Sequence, residues 1–180
     1  MIDAFISSPA LSPTWHELYL MLGSSTAALI GLLFVAASLH LAEIANESIY
    51  RLRSQFTTLI LLSTLLEAIA VLVPQSIPVL GIELLVVNLW GLSFPLTLIS
   101  KVFIMPKGRR GGFSFQRAAI FIAGYLVGIF GAVVLVSDRE WGMYPVTISY
   151  STLLMVSIWN GWMILQGIGQ GERVRKTLRK

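Results

Sequence analysis

A chain of 180 residues with 56% hydrophobic and only 12% charged residues cannot clothe a water-facing globule, whose composition usually includes roughly 25% charged residues. The absence of cysteine excludes disulfides and thiolate chemistry, and two histidines are too few for an all-histidine zinc site. In a soluble protein the net charge of +4 would raise nucleic acid as a partner, but here the basic residues follow membrane topology and no nucleic acid is expected.

A spanning helix takes about 20 mostly apolar residues, because the hydrocarbon core is roughly 30 Å thick. Five stretches meet or approach that length, at about 18–41, 56–73, 80–104, 118–136 and 145–168. The first follows Ser12-Pro13-Thr14, with Thr14 and Glu17 at capping-box spacing and Trp15 and Tyr19 suited to the headgroup level. Its Gly23, Ala27 and Gly31 recur every fourth residue, and His40 lies near its end. Glu67 sits deep in the second stretch, and Pro74 and Pro78 bracket a tight turn into the third. That third stretch holds Asn88 and, with Gly91 and Pro95, predicts a kink.

A basic, glycine-rich loop from Met105 to Gly112 leads to the fourth stretch, which contains Tyr125 and the GxxxG pair Gly124 and Gly128. Asp138-Arg139-Glu140-Trp141-Gly142 breaks the chain before the fifth, which carries Trp159-Asn160-Gly161-Trp162. The runs lack the alternation of barrel strands, and no linker or repeat divides them. The reading is one transmembrane domain over 1–180, an all-α membrane bundle of five helices.

Charge sets the orientation. With the amino terminus outside, twelve of the thirteen basic residues fall on cytoplasmic pieces, and only Arg139 does not. That is the positive-inside bias, so the carboxy terminus is placed inside. The segment before Thr14 has no basic residue and the first span is too long for a signal-peptide core, so cleavage is not expected. The basic tail from Glu172 to Lys180 suits anionic lipid headgroups.

The polar residues within the spans are the candidate sites. A charge at the depth of Glu67 costs about 2.5–3.5 kcal/mol on insertion scales, so the side chain is expected to be protonated or turned toward polar partners. Asn88 is nearly as far from the turn at Pro78 and should reach the same depth. Glu67 with Asn88 reads either as a proton or cation site or as interhelical glue. A second set, His40, Tyr125 and Asn160, is placed in the inner half. His40 can titrate near neutrality or anchor at the interface, and Asn160 suits an interhelical hydrogen bond between packing tryptophans. Enzyme motifs are absent, so neither catalysis nor a cofactor or metal is expected.

Gly23, Ala27 and Gly31, and Gly124 with Gly128, let helix backbones approach closely, within one chain or between chains. The run from Gly23-Ser24-Ser25-Thr26-Ala27-Ala28 to Ser38, preceded by Trp15-His16-Glu17, resembles the opening of a family of small, uncharacterised multi-pass bacterial inner-membrane proteins. Gly81-Ile82-Glu83-Leu84-Leu85 and Asn160-Gly161-Trp162 are similar to it too. The resemblance implies no site residues; some members are labelled modulators of a membrane-anchored AAA protease. The leading expectation is a non-enzymatic accessory or regulatory protein of the inner membrane, acting on a membrane-protein partner or by self-association through these faces. The alternative is a homo-oligomeric channel or proton-linked transporter using Glu67.

Overall fold

The structure is a computed structural model that describes residues 11–39, 48–104 and 115–178. These residues form helices α1 (Pro13–Leu39), α2 (Ser48–Leu72), α3 (Ile77–Ile104), α4 (Phe115–Val136) and α5 (Met143–Leu178), with a short 3-10 turn at Glu140–Gly142 before α5. Among the described residues four segments are long and apolar enough to cross a membrane: Pro13–Leu39, Ser54–Leu72, Ile77–Thr97 and Ala118–Val136. α5 is the longest helix, at 36 residues. Its Thr147, Ser149, Ser151, Thr152, Ser157 and Asn160 dilute its apolar character below that of the other four.

The helix ends have local causes. α1 opens earlier than the spacing of Thr14 and Glu17 predicts. Pro13 takes the first helical position, where a missing N–H costs nothing, and the Trp15 N–H donates to the Ser12 carbonyl at 3.0 Å. Thr14 therefore lies inside the helix and does not cap it. At the α2–α3 turn, the Gln75 amide donates to the Ala70 carbonyl at 3.0 Å and to Glu83 at 2.7 Å. Pro78 falls in the first turn of α3, where no N–H is needed, and α3 continues through Pro95. Asp138 adopts a left-handed backbone, with φ of 59°, and ends α4 in the conformation that commonly stops helices.

α3 packs on α4, α4 on α5, and α2 on both α3 and α5, while α1 rests on α2 and touches α5. The starts of α1 and α5 share one end of the bundle: the Ser12 N–H donates to Glu140 at 3.1 Å, and the Trp15 and Tyr144 rings meet edge-on at 5.1 Å. Gly81, just after the α2–α3 turn, lies against the backbone of Ala132 and Val136 at the close of α4. This is the turn end of the bundle.

The polarity is inverted relative to a water-soluble protein. Phe34, Val86, Phe130 and Met155 point outward, whereas Thr26, Thr57, Ser63, Thr64, Glu67, Asn88, Ser149 and Ser157 are buried. An apolar exterior is stable when lipid is the solvent, and interior polar groups then join helices that no hydrophobic force drives together. α1 is peripheral: 11% of its apolar stretch is buried, against 44%, 39% and 39% for those of α2, α3 and α4.

Candidate functional site

Glu67 is fully buried on α2. It was carried inward because its helix packs on three others, and the same face brings Thr64 and Ser63 with it. Asn88 from α3 is its immediate polar neighbour and is also fully buried, so the level inferred by counting from Pro78 agrees with the structure. The two groups nevertheless close no hydrogen bond of ordinary geometry. Both carboxyl oxygens of Glu67 and the Oδ1 of Asn88 are without a hydrogen-bond partner among the described residues, while Asn88 Nδ2 donates to the Leu84 carbonyl at 2.9 Å.

Three tyrosines surround this level. Tyr19 from α1, Tyr125 from α4 and Tyr150 from α5 all lie within electrostatic reach of Glu67. Each hydroxyl pairs with another helix: Tyr19 with Thr147 at 3.1 Å, Tyr125 with Ser63 at 2.7 Å, and Tyr150 with Thr26 at 2.7 Å. The Tyr19 and Tyr150 rings touch edge-on at 5.6 Å. Ser149 of α5 donates to the Gly124 carbonyl of α4 at 2.7 Å. Away from the turn end this level gives way to an apolar layer of Ile60, Phe121 and Leu153, backed by Leu92 and Val156.

The second expected set is divided. Tyr125 belongs to the Glu67 level, through Ser63 one helical turn away on α2. Asn160 is separate: its Nδ2 donates to Thr57 Oγ1 at 2.6 Å, and positions 57 and 67 are about 15 Å apart along a helix axis. His40 lies outside the described residues, as does the basic loop from Met105 to Gly112.

The small residues part in the same way. Gly124 packs under Leu153, and Gly128 lies against Asn88 and Ser149, so the α4 pair serves contacts inside the chain. On α1, a Cβ at Gly23 would lie 3.0 Å from that of Ala68, whereas Gly31 has no atom within 4 Å and Ala27 is exposed. Reasoning from the sequence missed Tyr19, Thr26, Ser63, Ser149 and Tyr150. Their signal was helical spacing, since Thr147, Tyr150 and Ser157 share a face of α5, as Thr57, Thr64 and Glu67 do of α2.

Among the described residues no group of three or more histidine, aspartate and glutamate side chains could hold a metal ion. The arrangement has one acid that can titrate, several hydroxyls that can relay a proton, and one amide that can only hydrogen-bond. No protein-family model, curated protein or solved structure matches the chain.

Proposed function

We propose that this chain is a proton-linked transport protein of the bacterial inner membrane, in which Glu67 takes up and releases the proton. The reading includes α5 as a fifth span, with the amino terminus outside and the basic loops and tail in the cytoplasm, in keeping with the positive-inside bias. It then places the turn end at the outer surface.

One observation carries it: Glu67 is completely enclosed beside Asn88, yet neither of its oxygens closes a hydrogen bond of ordinary geometry among the described residues. A carboxyl retained as glue between helices is expected to be hydrogen-bonded, because an unmatched polar group in an apolar interior costs several kcal/mol. Intramembrane acids otherwise mark ion and proton paths. Because Glu67 lies among helices of one chain, this path needs no central pore between subunits.

The test is proton flux in proteoliposomes with a trapped pH indicator. Wild-type protein is expected to carry an acid pulse inward faster than empty liposomes do, and Glu67→Gln to return the rate to theirs. Equal rates for wild-type and empty liposomes would sink the proposal.

A second reading, a non-enzymatic accessory protein, is favoured by α1. Its Ala27 and Gly31 remain open on a helix that is mostly outside the bundle, a surface on which another membrane helix can dock closely.

A further inference from the structure

Resting on Glu67 as a proton site, we infer that in this conformation the proton enters from the turn end, along the seam of α1 and α5, with the Tyr19 and Tyr150 hydroxyls as the relay. Three observations converge on that seam. A cleft of about 490 Å³, lined by Ser12, Thr14, Trp15, Leu18, Glu140, Trp141 and Tyr144, opens at its head. One helical turn below Trp15 and Tyr144 is the Tyr19–Thr147 pair, and below it, in ring contact with Tyr19, is the Tyr150–Thr26 pair. Both tyrosines lie within electrostatic reach of Glu67. These are hydroxyls at successive depths, between a partly open cleft that holds one carboxylate, Glu140, and a buried carboxyl.

The opposite direction differs. Beyond the Ser63–Tyr125 pair the interior is narrowed by the side chains of Ile60, Phe121 and Leu153, and the buried Ser157 hydroxyl one turn past Leu153 has no hydrogen-bond partner among the described residues, so it continues no hydrogen-bonded chain. The next polar pair, Thr57 with Asn160, lies on the far side of that layer.

The relay balances. A hydronium ion in the cleft gives up one proton, and each hydroxyl accepts a proton on oxygen and passes its own onward. The Glu67 carboxylate ends as the carboxylic acid, and the hydroxyls end as they began. Where a gap is wider than a hydrogen bond, the relay requires a bridging water. The titratable groups that face Glu67 are Tyr19 from α1, Tyr125 from α4 and Tyr150 from α5, while α3 contributes the neutral Asn88.

The test uses the full-length protein, inserted in one orientation in liposomes. The infrared band of the neutral Glu67 carboxyl, assigned by its loss in Glu67→Gln, is followed after a pH step on either face. A step at the turn end should change the band at once, and a step at the opposite face should change it only later, at the slower rate of flux across the protein. Tyr19→Phe and Tyr150→Phe should each slow the response by about a hundredfold, the lower end of what a positioned proton-transfer group contributes, without altering its final amplitude. Thr147→Val and Thr26→Val keep side-chain shape and serve the same purpose where a tyrosine variant fails to assemble. Equal responses from both faces, or wild-type rates in these variants, overturn the route while leaving Glu67 a proton site. A band that responds to pH from neither face overturns the proton site itself, and the route with it.

Discussion

Asn88 and Gly128 share one space between α3 and α4: the asparagine Oδ1 occupies the position that a side chain at 128 would need. The same hypothetical Cβ would lie 2.7 Å from Ser149 Oγ on α5, so three helices close on this glycine. Gly128→Ala should therefore cost about 1–3 kcal/mol, the usual penalty for overpacking a filled interior. The thermal unfolding midpoint in detergent reads it out. Adding Asn88→Ala should recover part of the loss, and no recovery would place the clash elsewhere.

Glu67→Leu should raise stability by about 1–3 kcal/mol, since it replaces a buried polar group that closes no hydrogen bond among the described residues with an apolar one. The gain is expected together with loss of proton flux, the exchange of stability for function seen at many active sites. Unfolding in detergent decides the matter. A marked loss of stability would mean that the carboxyl makes bonds that hold the helices together.

Tyr125→Phe should cost about 0.6 kcal/mol and no more than about 1.7, the range measured for hydrogen bonds between membrane helices. The ring itself covers Gly91 and is kept by the substitution. Ser63→Ala should cost a similar amount, and the double variant less than the sum, because the two hydroxyls bond each other at 2.7 Å. Strictly additive losses would argue that the bond carries no coupling.

The two glycines of α1 should respond differently to leucine. At Gly23 a Cβ already approaches Ala68 to 3.0 Å, while Gly31 has open space. Gly23→Leu should lower the unfolding midpoint of the isolated chain, and Gly31→Leu should leave it unchanged. If Gly31→Leu also leaves every association in native membranes intact, as judged by crosslinking, the docking reading of α1 fails.

The helices themselves were legible because lipid demands long apolar runs, and each of the five predicted stretches lies largely within one observed helix. The shared depth of Glu67 and Asn88 was also legible, because a tight turn fixes the register of a hairpin. The hydroxyl level around them was not. Serine and threonine in a helix can bond the carbonyl four residues back, as Ser24, Ser25 and Thr58 do on exposed faces. Spacing alone therefore does not separate a lipid-facing hydroxyl from one that joins helices. Tyr125 illustrates the difficulty: its ring fits over Gly91 of α3, which directs its hydroxyl to Ser63 and away from the level of Asn160. Likewise, a small-residue stripe records that something approaches closely without recording what, so Gly23 and Gly31 read alike.

The pairing of Thr26 with Tyr150 has a consequence for how the protein is made. The two residues are 124 positions apart in the chain. At roughly 5–20 residues per second, the pace of synthesis, Thr26 waits on the order of 6–25 s for its partner to leave the ribosome. For the later part of that time, once Leu72 has been made, α2 is complete and its acid lacks the wall that α5 supplies. The nascent chain must then shelter Glu67 against the insertion machinery or in a provisional packing of the first helices. Arrival of the last helix is thus the step that encloses the carboxyl, and truncation before Tyr150 should leave an intermediate that quality-control proteases recognise by its uncovered charge.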